Sequence, residues 1–132
     1  MNKIIYKNLK LHTVPLEKIM INSHMIKITV DDITEKTYEL IFDPYQAIKI
    51  ITIDCVDIDS YYCDECYYEG CYHNHLIEVE GSLWIKNLKD ELKKNDEEAY
   101  FLDKSRHFVV ATNDNIIEII AEDLQLNQMD KK

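Results

Sequence analysis

The chain has 132 residues, 46% of them hydrophobic, and carries a formal net charge of −10 from 15 basic and 25 acidic side chains. That length fits a single domain, residues 1–132, with enough apolar material for a core. The charge argues against a nucleic-acid backbone or an anionic membrane as the main partner, because both need a cationic face, and it favours fast encounter with a basic partner.

Only two glycines and two prolines are present, too few for a flexible linker or a glycine-rich phosphate loop. The segment Met1 to Asn8 has no apolar run of signal-peptide length, and no stretch approaches a membrane span. The expected location is therefore the cytoplasm, where the four cysteines stay reduced or bind metal.

Leu9 to Ile21 is ambiguous and reads as a strand entering a short turn. Ile26, Ile28 and Val30 alternate with Lys27 and Thr29, and Tyr38, Leu40 and Phe42 repeat the period of two, which predicts a hairpin through residues 32–37. Asp43-Pro44 signals a turn. Ala47 to Ile58 reads as the strongest strand, central and covered on both faces, with Asp54 inside it at a bulge or hydrogen-bonded. Leu76 to Glu80 reads as a short strand.

Ser82 then caps a helix over Leu83 to Asn95, with Trp84, Ile85, Leu88 and Leu92 on one stripe and lysines near the C-terminal end. A C-terminal hairpin follows, with residues 108–111 and 116–121 as arms around a turn at 112–115. The ends, 1–8 and 127–132, are expected to fray. The expected class is α+β: mainly antiparallel β-sheet, with the helix packed on a face and the hairpin at the C-terminus.

One segment differs from this scaffold. Between Asp54 and Glu80, and chiefly in a loop at about 59–75, Tyr61, Tyr62, Tyr67, Tyr68 and Tyr72 sit among Asp57, Asp59, Asp64, Glu65 and Glu69. Connections of that length are uncommon in a compact domain unless they bind something or carry their own structure. Tyrosine supplies contact area at low entropy cost, and interspersed carboxylates suit the lysines and arginines of a basic partner. These ten residues are the expected partner-binding set, although at least two of the tyrosines are expected to pack over the sheet instead.

The same loop holds Cys63, Cys66, Cys71, His73 and His75, five soft or borderline ligands in thirteen residues. Zinc takes four such ligands in a tetrahedron, so a small zinc-binding module is the alternative reading. The loop would otherwise lack apolar anchors. Redox work by Cys63-Asp-Glu-Cys66 is disfavoured by acidic flanks, which oppose a thiolate. No Gly-x-Ser-x-Gly elbow occurs, a Cys71–His73 dyad lacks a positioned third group, and His107 reads as a packing or strand-capping residue. No catalytic residue is expected.

Three phrases carry a resemblance: Tyr38-Glu-Leu-Ile-Phe-Asp-Pro-Tyr-Gln-Ala-Ile-Lys-Ile-Ile-Thr-Ile-Asp54, the helix start Ser82-Leu-Trp84-Ile, and His107-Phe-Val-Val continuing to Glu118-Ile-Ile-Ala121. Over about residues 38–122 they resemble small bacterial proteins of the polymorphic-toxin immunity type. The resemblance implies a cytoplasmic inhibitor that blocks a toxin domain by direct contact, and no catalytic residues. The Cys/His-rich loop is not part of the pattern. The expectation is thus a non-enzymatic protein-binding domain that neutralises a basic toxin partner.

Overall fold

A computed structural model of the chain describes residues 2–6, 8–11, 18–61, 64–112 and 115–129, and for Ile58, Asp59 and Tyr72 the backbone alone. The architecture is antiparallel sheet with one α-helix. Strands β1 (Asn2–Ile4), β2 (Lys18–Ile21), β3 (Ile26–Asp31), β4 (Thr37–Phe42) and β5 (Tyr45–Thr52) come first. A two-residue pair, β6 (Tyr67–Tyr68) and β7 (Cys71–Tyr72), lies in the long connection to β8 (Leu76–Val79). Helix α1 (Leu83–Asn95) precedes β9 (Arg106–Ala111), β10 (Asn115–Ala121) and β11 (Leu124–Met129).

The strands form two main sheets, one of order β1-β8-β9-β10-β5 and one of order β11-β4-β3-β2. Their inner faces share one core: Ile26, Ile28, Val30, Leu40 and Phe42 meet Leu76, Phe108, Val110, Ile117 and Ile119, all buried. The Phe42 and Phe108 rings bridge the layers at 5.3 Å between centroids. The antiparallel strands of the α+β fold thus pack as a two-layered sandwich. Two chain crossings between sheets lie side by side, β4 to β5 at Asp43-Pro44 and β10 to β11 at Glu122-Asp123, tied by Asp43 N–H to Asp123 O and by Glu122 N–H to Pro44 O.

The predicted hairpins and helix lie where the patterns place them. β3 pairs β4 in register from Ile26↔Phe42 to Asp31↔Thr37, and β9 pairs β10. The Ser82 hydroxyl accepts from the Ile85 N–H at the start of α1, and the stripe Trp84, Ile85, Leu88, Leu92 is half-buried. The tip of the C-terminal hairpin, Asn113-Asp114, lies outside the described residues.

Three expectations change. The strand expected over 47–58 is β5, which among the described residues is an edge strand paired with β10 and stops at Thr52, opposite Asn115. Asp54 accordingly lies exposed in a 3-10 turn (Ile53–Cys55) and needs no buried partner. Neither terminus frays throughout: Asn2–Ile4 pairs with β8, and β11 runs through Asn127 to Met129 against β4. The polar face of β11 (Gln125, Asn127) hides its strand character from a hydrophobic pattern. In the ambiguous stretch Leu9 and Leu11 are buried, Leu11 bridges to Asp32, and residues 12–17 lie outside the described residues.

No helix among the described residues is long and apolar enough to cross a membrane.

Candidate functional site

The long connection from β5 to β8 folds back over the outer face of the five-stranded sheet. Its 3-10 turns (Ile53–Cys55, Ile58–Tyr61, Asp64–Cys66) lead into the β6–β7 ribbon. The ribbon turns through Glu69 (φ 55°) and Gly70 (φ 84°), both in the left-handed region that a tight two-residue hairpin requires. Val56, Tyr61 and Cys66 pack on Ile77, Val109, Ala111 and Ile116, forming a second buried cluster. The loop thus carries its own apolar anchors, contrary to the expectation that it lacks them. Asn2 Nδ2 donates to the Ser60 and Tyr61 carbonyls, at 3.3 and 3.2 Å.

The ten expected partner-binding residues divide. Asp57, Asp64, Glu65, Glu69 and Tyr67 are exposed, Tyr67 by 53%. Tyr61 packs against the sheet cluster, and Tyr68 turns toward His73 and His75 within the loop. Tyr61 Oη donates to Glu118 Oε2 at 3.0 Å. Burial, aided by the Glu118 charge and this hydrogen bond, pushes the Tyr61 phenol up to about 12. Tyr68 stacks on His73 at 3.9 Å and lies under the Lys10 ammonium at 4.7 Å. Tyr62, and the side chains of Asp59 and Tyr72, lie outside the described residues.

The four of the five expected metal ligands that are described differ in their surroundings. Cys66 is fully buried and Cys71 exposed; Cys63 lies outside the described residues. His73 Nε2 donates to the Tyr68 carbonyl at 3.0 Å, with Cys71 Sγ 3.5 Å away. His75 is buried with both nitrogens engaged: Nδ1 donates to the Leu9 carbonyl at 2.9 Å, which leaves Nε2 to accept from Tyr68 Oη at 2.9 Å. A metal at His75 would have to displace one of these bonds. Among the described residues no three His, Cys, Asp or Glu side chains converge as a metal site.

Burial lowers the pKa of His75, outweighing the opposite pull of its bond to Leu9, with Lys10 and His73 nearby adding to the depression. The neutral ring is therefore the folded form. Stability is full above the ordinary value of about 6.5 and falls as pH drops through the lower folded value, because the unfolded chain takes the proton first. Urea midpoints at about pH 7.5 and 5.5 should show this decline, and His75→Gln should lessen it. Equal pH slopes in wild type and variant would contradict the assignment.

Next to the loop lies a polar chain that pattern reading did not find. His107 and Glu118 are 6% and 5% exposed. His107 Nε2 donates to Glu118 Oε1 at 2.8 Å, so Nδ1 of the neutral ring accepts from Ser82 Oγ, also at 2.8 Å. Lys49 Nζ lies 3.5 Å from Glu118 Oε2 and 4.5 Å from the Trp84 ring centroid, and Trp84 meets the His107 ring edge-on at 5.4 Å. Burial alone would raise the Glu118 carboxyl, but the bonds from His107 and Tyr61 and the Lys49 charge outweigh it and hold the group below the usual carboxylate range. One signal was available: a lone carboxylate inside Ile116-Ile117-Glu118-Ile119-Ile120 requires a paired buried group.

Comparison with protein-family models, curated proteins and solved structures finds no match for the chain.

Proposed function

We propose that the chain is a protein-binding domain that neutralises a basic partner, of the toxin kind that immunity-type inhibitors block, by direct contact through the acidic loop. One observation carries this reading: the loop sorts its side chains. Val56, Tyr61, Cys66, Tyr68 and His75 turn inward and fasten it, while Asp54, Asp57, Asp64, Glu65, Tyr67 and Glu69 are exposed. A surface already held in shape loses less entropy on binding, and its carboxylates on a chain of net charge −10 speed encounter with a cationic cleft.

The triple variant Asp64→Lys/Glu65→Lys/Glu69→Lys tests the reading. Each reversal adds two charges, so three take the net charge from −10 to −4 at exposed positions that leave the inward anchors untouched. Wild type is expected to retain a basic protein from source-cell extract, to release it as salt is raised, and to suppress that protein's toxicity on co-expression. The variant should fold normally and do neither. Retention of the same protein by the variant, or no basic protein held by wild type, would sink the proposal.

A further inference from the structure

A cleft of about 520 Å³ opens beside α1, with Ser82, Ile85, Lys86, Lys89, Arg106 and His107 in its wall. It holds one end of the polar chain described above. Ser82 Oγ donates to His107 Nδ1, and His107 Nε2 donates to the buried Glu118 carboxylate. A hydroxyl, a base within hydrogen-bond reach, and a third group that fixes the tautomer of the base are the elements of an activated nucleophile, and they are recognised by geometry, not by chain order.

Capping of the helix explains only the bond from Ile85 N–H to Ser82 Oγ. It requires neither the histidine nor the glutamate. The strand–turn–helix connection, with Gly81 at φ 67°, places Ser82 immediately before the first amides of α1, which have no intrahelical acceptor and would face an oxyanion formed on a carbonyl attacked by Ser82. The cations in the wall differ in commitment. Arg106 is bound to Glu78 through two nitrogens and Lys89 to Asp103, whereas Lys86 has no ion-pair partner among the described residues.

We propose that Ser82, His107 and Glu118 form a hydrolytic site for small acyl esters that carry an anionic group, held near Lys86. Ser82 Oγ bonds to the acyl carbon as its proton passes to His107 Nδ1, and Glu118 balances the imidazolium through Nε2–H. The ester C–O bond breaks, and the leaving alkoxide takes the proton from Nδ1. Water then attacks the acyl carbon and gives its proton to Nδ1; the Oγ–acyl bond breaks, and that proton returns to Ser82. Water is the only co-reactant. The proposal is independent of the inhibitory reading, since none of the three residues belongs to the exposed acidic set.

The test uses the full chain, a fluorophosphonate probe and p-nitrophenyl acetate. Wild type should form an adduct that mass spectrometry maps to Ser82 and should turn over the ester. Ser82→Asn keeps a good helix cap but has no hydroxyl; it should give no adduct and only the background hydrolysis of surface lysines. His107→Gln can still bond to both neighbours but is no base; it should label at least about 100-fold more slowly. Absence of a Ser82 adduct on folded wild type, or ester turnover by Ser82→Asn equal to wild type, would overturn the proposal.

Discussion

Replacing His107 by alanine is expected to destabilise the fold by about 3 kcal/mol, the upper end of the range for leaving a buried polar group without its hydrogen-bond donor, because that group is a carboxylate. The imidazole lies 2.8 Å from Glu118 Oε1. Without it the carboxylate stays inside the fold with Tyr61 at 3.0 Å and Lys49 at 3.5 Å, both on its other oxygen. The same truncation leaves Ser82 without its acceptor and Trp84 without the ring it touches. The double variant His107→Leu/Glu118→Leu removes the charge together with its partner. It should recover most of the loss, because replacing both partners of a buried hydrogen bond by apolar groups of similar shape is often nearly neutral. Urea unfolding of the wild type, His107→Leu, Glu118→Leu and the double variant measures the coupling. A cost below about 1 kcal/mol for His107→Ala would mean that water reaches Glu118 and that the pair is not truly buried.

Phe108→Ala should cost a similar amount, about 3–5 kcal/mol, through a different mechanism. Phe108 is fully buried between the sheets, against Phe42 on one side and under the Arg106 guanidinium at 4.8 Å. The interior on both sides is built of backbone-paired strands, which cannot collapse into the vacated volume, so the transfer and cavity terms add. With a total stability of roughly 5–15 kcal/mol usual for a domain, this one change could leave the chain largely unfolded at body temperature. Phe101→Ala is the control: that ring is 48% exposed, and its loss should change stability by no more than about 0.5 kcal/mol. Thermal and urea midpoints report both. Equal losses at the two positions would show that the sheets do not pack as described.

The two effects come from features of unequal visibility in the sequence. Phe108 belongs to a continuous apolar run, Phe108 to Ala111, and its burial follows from that pattern alone. His107 sits one residue away, and its importance depends on a carboxylate eleven positions further on, which the β9–β10 register sets opposite Val109 and so diagonally within 2.8 Å of the imidazole. The loop shows the same division. Its length and its mixture of tyrosine and acid mark it as unusual, but composition does not separate Tyr61, which anchors through Glu118, from Tyr67, which is exposed. That distinction rests on a contact across 57 positions. His73 and His75, alike on paper, part for the same reason: only His75 reaches the Leu9 carbonyl and becomes buried.

Local chemistry determined the antiparallel strand pairs, the Ser82-capped helix over Leu83–Asn95 and the acidic charge, because each follows from periodicity, capping or counting over neighbouring residues. Tertiary structure alone decided that the strands split into two sheets, that β5 is an edge, and that β11 is a strand at all. It also brought Ser82, His107, Glu118, Tyr61 and Lys49 into one polar chain. Those outcomes depend on which apolar faces meet and in what register, and a burial of two faces against each other has no signature in either strand by itself.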